Sequence, residues 1–340
     1  MDIKELDSNA RAMVAPGKGI LAADESTGTI KKRFDKIGLE SSFESRRAYR
    51  ELLFTAPESE KHISGVILYD ETLRQQTASG QPFPELLAAR GILPGIKVDA
   101  GAKSLAGFPG ETVTEGLDGL RERLAEYRGL GARFAKWRAV IDIGAAIPTA
   151  ACLAANAEAL ARYAAQCQEA SIVPIVEPEV LMDGDHAIER CEEVTDATLE
   201  VVFDSLFLHR VRLEGMVLKP NMVIAGKKCA KQATAAQVAE ATVRCLLRRV
   251  PAAVPGIAFL SGGQSESDAT LHLSLMNRSR TLPWELSFSY GRALQQSTLD
   301  AWKGKPANVA AAQKAFLKRA KLNGLARDGR YEAAMEQAAA

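Results

Sequence analysis

Lys219 ends the apolar run Val217-Leu218-Lys219-Pro220-Asn221-Met222, and its chemistry is the easiest in the chain to name. An amine removed from water and set near a second cation such as Lys136 is expected to have its pKa pushed down toward neutrality. A neutral amine attacks carbonyl carbon, and the product is an imine. A lysine that merely snorkels to a rim carries the same sequence signature. Glu177 tips the balance toward chemistry, because a carboxylate there can move protons while a carbinolamine forms and loses water.

Polar residues recur at the ends of other apolar runs. They are Asp24, then Lys97 with Asp99, Lys136 with Arg138, and Glu177 with Glu179. Ser261-Gly262-Gly263 and Ser289-Tyr290-Gly291-Arg292 follow two further runs. The three charged pairs are spaced i, i+2, which puts both members on one face of a strand. Val98, Trp137 and Pro178 then point the other way. Charges repeated on one face of apolar strands are costly to bury without a purpose. A structural salt-bridge network explains one pair easily. It explains less well why Lys97, Lys136, Arg138, Lys219 and Arg292 outnumber Asp24, Asp99, Glu177 and Glu179. A surplus of buried cations asks for an anion, most simply phosphate. The loop Ser261-Gly262-Gly263-Gln264-Ser265, small and followed by helical sequence, could hold one on its backbone N–H groups.

The elements that must position these groups are short. Strands are expected near Ile20–Ala23, Val66–Tyr69, Gly95–Val98, Phe134–Val140, Val173–Glu179, Met216–Lys219, Ile257–Ser261 and Leu286–Ser289. Amphipathic stretches such as Ala151–Glu169 and Ala235–Arg248 lie between them, the first after Pro148-Thr149, a helix start. Eight strand-plus-helix units without a long linker predict an α/β (β/α)8 TIM barrel over 1–340, one domain. Neither GxGxxG nor GxxxxGK[ST] occurs, so an open dinucleotide or P-loop sheet has no anchor. Barrel enzymes react at the C-terminal ends of their strands, where the residues above cluster. An alanine-rich helix from about Ala307 and a short mobile tail from about 327 complete the chain.

Composition narrows the partners. Lys plus Arg number 43 against 42 Asp plus Glu, so the net charge of +1 argues against gripping nucleic acid or an acidic membrane. Met1-Asp2-Ile3-Lys4-Glu5-Leu6 lacks the apolar core of a signal peptide, and no run approaches the roughly 20 residues that span a bilayer. Cys152, Cys167, Cys191, Cys229 and Cys245 show no CxxC spacing and fit reduced cysteines of a cytoplasmic protein. His62, His186, His209 and His272 are scattered, so no metal site is expected. Asp183-Gly184-Asp185-His186 is expected to be a loop.

With these residues in view, the chain closely resembles class I fructose-1,6-bisphosphate aldolase, the metal-independent, Schiff-base-forming family. The stretches that carry the resemblance are LAADESTGTIKKRF (21–34), GVILYDETL (65–73), GIKVD (95–99), FAKWR (134–138), IVPIVEPEVLMDGDH (172–186), LKPNMV (218–223), FLSGGQSE (259–266) and SFSYGRALQ (287–295). They run in the family's order over about residues 5 to 330. The resemblance implies Lys219 as Schiff-base lysine, Glu177 as acid/base with Glu179 beside it, and Asp24 in removing the hydroxyl proton. It implies Lys136 as the group that polarises the reacting hydroxyls. Ser261, Gly262, Gly263, Ser289, Gly291 and Arg292 would hold the dihydroxyacetone-phosphate end. Lys97, Arg138, Ser26 and Arg33 would serve the other phosphate or its approach, and Arg46, within ESRRAYR (44–50), is a weaker substrate-binding assignment. The substrate would be a sugar bisphosphate, no cofactor or metal would be needed, and the assembly would be a homotetramer.

Two departures stand out. Many members end in a mobile tail with a terminal tyrosine, whereas this chain ends at Ala340 and its last tyrosine is Tyr331. Deleting Gln337–Ala340 is therefore expected to leave cleavage nearly unchanged; a large fall in turnover would give the tail a catalytic part. Thr29 stands where many members have serine, and keeps the hydroxyl. Other functions fit less well. A transaldolase-type barrel would keep Lys219 but needs no phosphate site at both ends of its substrate. A retaining glycosidase would flank its bond with carboxylates from separate strands, unlike Glu177 and Glu179, and leaves Lys219 unexplained. A non-catalytic scaffold would not need Asp24, Lys136, Glu177 and Lys219 together.

Overall fold

Each apolar run expected to be a strand overlaps one. The computed structural model describes residues 1–279 and 281–338, and its strands are β1 (Gly19–Ala23), β2 (Ile63–Leu68), β3 (Leu93–Lys97), β4 (Gly101–Ser104), β5 (Thr112–Glu115), β6 (Phe134–Ile141), β7 (Val173–Val180), β8 (Val217–Leu218), β9 (Gly256–Phe259) and β10 (Glu285–Tyr290). Eight of them close into a barrel in the order β1, β2, β3, β6, β7, β8, β9, β10, with each neighbour parallel. Parallel neighbours need a crossover, and helices such as Ala150–Glu169 and Ala235–Arg249 supply it. The Thr149 side chain accepts from the Cys152 amide, capping the first of these helices where the sequence placed its start. β8 is shorter than expected, but the Lys219 amide still donates to the Val176 carbonyl at 2.8 Å, so Lys219 is fixed as a strand residue would be.

β4 and β5 have no counterpart among the expected strands. They form an antiparallel hairpin between β3 and β6. Their residues are mostly small or polar and only Thr114 is buried, so no apolar run announces them. The Thr114 and Thr112 hydroxyls donate to the Arg138 and Val140 carbonyls at 2.8 and 3.1 Å, pinning the hairpin over the end of β6.

Two apolar layers fix which side chains point inward. Trp137 is fully buried and lies 5.5 Å from the Tyr163 ring on helix Ala150–Glu169. Lys136 and Arg138, its neighbours on β6, therefore point into the barrel. At the other end, Leu6, Ala10 and Met13 of helix Ile3–Met13 close the barrel floor against Ile67, Phe134, Ile175 and Val217. Phe134 occupies space that a side chain on β3 would need: a Cβ on Gly95 would meet its ring at 2.2 Å. Gly95→Ala is expected to lower stability by about 1–3 kcal/mol through overpacking. Pairing it with Phe134→Leu should recover part of the loss in urea titrations, and equal losses with and without Phe134→Leu would contradict this packing.

The C-terminal helix Val309–Arg327 carries a docked segment. Tyr331 is buried and donates to Glu336 at 2.9 Å, while Arg319 donates to both Glu336 oxygens at 2.6 and 2.7 Å. The end of the expected mobile tail, Ala339 and Ala340, lies outside the described residues. No described helix is long and apolar enough to cross a membrane.

Candidate active site

A cavity of about 380 Å³ opens at the C-terminal ends of the barrel strands. Six cations line it, Arg33, Lys97, Lys136, Arg138, Lys219 and Arg292, with five carboxylates, Asp24, Glu25, Asp99, Glu177 and Glu179. Burial forces these charges to pair. Lys97 meets Asp99 at 2.7 Å, Lys136 meets Asp24 at 2.7 Å, and Arg33 meets Glu25 at 2.5 Å. Arg138 pairs with Glu179, and Lys219 meets Glu177 at 3.1 Å. Arg292 is exposed at the mouth and has no ion-pair partner among the described residues. The surplus of one cation that the sequence suggested thus persists, and it resides on Arg292.

Glu177 links the two buried lysines. One of its oxygens faces the Lys219 ammonium, and the other lies 3.5 Å from Lys136 without a hydrogen bond. The sequence set both Lys136 and Glu177 beside Lys219; in the structure Glu177 is the group against the amine, with Lys136 on its far oxygen. Lys136 also lies 3.9 Å from Asp99. Burial disfavours its charge, but Asp24, Glu177 and Asp99 outweigh that and raise its pKa well above the usual lysine value. Burial likewise pushes Asp24 up, yet the ammonium groups of Lys136, Lys219 and Lys97 prevail and hold it well below the usual carboxylate range. Lys136 is a fixed cation and Asp24 a fixed anion.

Two sides of the cavity suit an oxyanion. Past β9, Gly262 and Gly263 run so close to Met182 that a Cβ on either would meet its side chain at 2.6 or 2.2 Å, and Gly263 has φ +76°. At Gly263 the positive φ and the Met182 stem leave room only for glycine. The amides of Gly262 and Gly263 donate to no backbone carbonyl among the described residues. Next to this loop, the Ser289 hydroxyl is buried without a partner. Such a group is costly unless a ligand completes it.

Of the residues singled out in the sequence, Asp24, Ser26, Arg33, Lys97, Lys136, Arg138, Glu177, Glu179, Lys219, Ser261, Gly262, Ser289, Gly291 and Arg292 line this cavity. Gly263 is not among the lining residues. Arg46 does not line it: from helix Phe43–Phe54 it holds both oxygens of Glu71, at 2.7 and 2.6 Å. Glu25 was missed because only the first polar residue after the β1 run, Asp24, was singled out, and no i, i+2 pairing marks its neighbour. Its signal was indirect, in two arginines, Arg33 and Arg50, that burial obliges to find an anion. Thr29 also lines the cavity.

The chain matches a known family over nearly its full length. The family model described as fructose-bisphosphate aldolase class-I matches residues 5–340. The chain belongs to the class I fructose-bisphosphate aldolases. It is similar to a probable fructose-bisphosphate aldolase class 1 of Xanthomonas campestris pv. campestris, 60% identical over 98% of this chain and 100% of the other. The cytoplasmic isozyme of fructose-bisphosphate aldolase from Spinacia oleracea is 56% identical, covering 96% of this chain and 92% of its own length. Among solved structures, the Plasmodium falciparum aldolase in complex with TRAP and a small molecule inhibitor superposes with TM-score 0.96. It is 51% identical, over 97% of this chain and 96% of that one. Family membership is settled by sequence and by fold alike.

Proposed function

We propose that this class I aldolase reversibly cleaves D-fructose 1,6-bisphosphate to dihydroxyacetone phosphate and D-glyceraldehyde 3-phosphate through a Schiff base on Lys219, in glycolysis and gluconeogenesis. The observation that carries the mechanism is the buried Lys219 amine 3.1 Å from Glu177, beneath a mouth with an excess cation.

The amine must lose a proton before it attacks, and Glu177 is within reach to accept it. Attack on the ketone gives a carbinolamine. Glu177 then returns a proton to its hydroxyl, which leaves as water, and a protonated imine remains. Glu179, held by Arg138, borders the same space. The substrate hydroxyl enters between Lys136 and Asp24 and separates that 2.7 Å pair. Once the ammonium turns to the hydroxyl, burial raises the proton affinity of Asp24, which takes the hydroxyl proton. The C3–C4 electron pair moves into the imine, leaving an enamine while glyceraldehyde 3-phosphate departs. Protonation of the enamine carbon and hydrolysis of the imine release dihydroxyacetone phosphate and restore Lys219.

Ser261, Gly262, Gly263, Ser289, Gly291 and Arg292 are assigned to the phosphate of the dihydroxyacetone half. Lys97, Arg138, Ser26 and Arg33 are assigned to the other phosphate or its approach. Arg46, held by Glu71, is kept as the weakest of the substrate-binding assignments. The cytosol is the proposed compartment, in keeping with five unpaired cysteines. A homotetramer is the proposed assembly. Phe207 and Leu208, 82% and 76% exposed beside an outer hollow of about 840 Å³, are apolar surface suited to a second copy. Sedimentation of Phe207→Asp should show a smaller species than the parent; an unchanged size would remove that face from the assembly.

Cleavage of fructose 1,6-bisphosphate, fructose 1-phosphate and sedoheptulose bisphosphate, with transfer to a sugar acceptor, tests the reaction. Cleavage that persists in EDTA, with no transfer, is expected. Transfer as the main activity, or loss of activity on chelation, would overturn it.

A further inference from the structure

The carboxylate that the sequence reading missed is shared by two arginines that it holds in different ways. Glu25 is buried at the edge of the cavity, with Arg50 on one oxygen and Arg33 on the other. Arg50 comes from helix Phe43–Phe54 and is only 3% exposed. It donates a directed hydrogen bond to Glu25 at 2.7 Å. Its guanidinium also sits 5.7 Å over the ring of Tyr49, so it cannot turn toward the cavity without leaving that packing. Arg33 comes from helix Thr27–Asp35, is 19% exposed and lines the cavity. Its NH1 lies 2.5 Å from Glu25 but is not aligned to donate, so charge alone holds it. The Gln295 amide secures the carboxylate further, donating to Glu25 at 3.0 Å and to the Ala22 carbonyl at 2.8 Å, while Tyr49 donates to Gln295 at 3.0 Å.

We infer that Arg50 is a positioning residue: by holding Glu25 permanently, it frees Arg33 to move from Glu25 to a substrate phosphate. A guanidinium that leaves a buried carboxylate alone exposes an uncompensated charge, which is strongly unfavourable. Here Glu25 keeps Arg50 and Gln295 when Arg33 departs. Without Arg50, Glu25 would compete with phosphate for its one remaining cation. Burial works against the Glu25 charge, and Arg50 then Arg33 outweigh it, so the carboxyl stays below its usual range and the competition is between full charges. The inference rests on the bisphosphate reading of the cavity.

The test is a double-mutant cycle on the full-length enzyme with fructose 1,6-bisphosphate. Arg50→Met is expected to raise KM about 10-fold while kcat changes less than about twofold. In an Arg33→Met background the same change should move KM by less than about twofold, since no arm remains to be freed. Equal KM effects in both backgrounds, or a fall in kcat with KM unmoved, would make Arg50 merely structural and overturn the inference. Arg50→Lys, which keeps a cation on Glu25, should restore KM to within about threefold of the parent. If Arg50→Met does not fold, the cycle is run with Arg50→Lys and Arg50→Gln, and a larger KM for glutamine confined to the Arg33 background is the supporting result. Trapping of dihydroxyacetone phosphate on Lys219 in the parent separates the two readings. Trapping with an additive cycle sinks only this inference, whereas no trapping sinks the catalytic assignment.

Discussion

Lys219→Met is expected to lower kcat for fructose 1,6-bisphosphate cleavage by about 10⁵-fold while the protein still folds. No other amine in the cavity can take its place. Lys136 is the nearest candidate, but three carboxylates surround its ammonium and keep it protonated, so it has no lone pair to offer. Lys97 is committed to both the side chain and the carbonyl of Asp99, at 2.7 and 2.8 Å. The fold should survive, because Glu177 keeps Lys136 as a cationic neighbour when Lys219 is gone. Stability is expected to change by about 1–2 kcal/mol at most. Single-turnover cleavage and urea unfolding on the same preparation measure both. Turnover within about 10-fold of the parent would rule out covalent catalysis at this residue.

Lys136→Met should harm both activity and stability. One ammonium lies between Asp24, Glu177 and Asp99, at 2.7, 3.5 and 3.9 Å, and is itself buried. Removing it leaves buried carboxylates without their central cation, a change that costs about 3–5 kcal/mol. Turnover should fall about 10³-fold or more, because the same cation polarises the hydroxyl whose proton Asp24 removes. The pH dependence identifies the cause. The folded pKa of Lys136 is raised, so its stabilisation is complete below its unfolded pKa of about 10.4 and is lost as pH rises through the folded value. That of Asp24 is lowered, so its stabilisation is complete above its unfolded pKa of about 3.9 and is lost as pH falls. In Lys136→Met the main cation holding Asp24 ionised is gone and burial acts with less opposition. The deficit relative to the parent should therefore be larger at pH 7 than at pH 5. A deficit independent of pH would mean lost packing rather than lost charge.

The barrel was legible because its strands are apolar runs separated by helix-length spacers, and the site was legible because charges interrupt those runs at their ends. Lys136 and Arg138 on either side of Trp137 show how this works: alternation alone sends the tryptophan to the helices and the cations to the interior. What the sequence hid obeys no such period. Glu25 acts from the connection after β1, and its partner Arg50 lies on a helix that lines none of the cavity. The β4–β5 hairpin is held by threonine hydroxyls on neighbouring carbonyls, contacts with no sequence pattern. The placement of Glu177 between Lys136 and Lys219 is likewise a property of strand register, in which Glu177 pairs with Arg138 across β6 and β7. Arg46 shows the opposite case: the resemblance made it a weak substrate-binding assignment, and the fold pairs it with Glu71.

The most direct test of Schiff-base catalysis at Lys219 is borohydride reduction of the enzyme with dihydroxyacetone phosphate, followed by mapping of the modified peptide. A single stable adduct on Lys219, formed equally in EDTA, is the predicted result. An unmodified Lys219, or an adduct confined to another lysine such as Lys136, would contradict it.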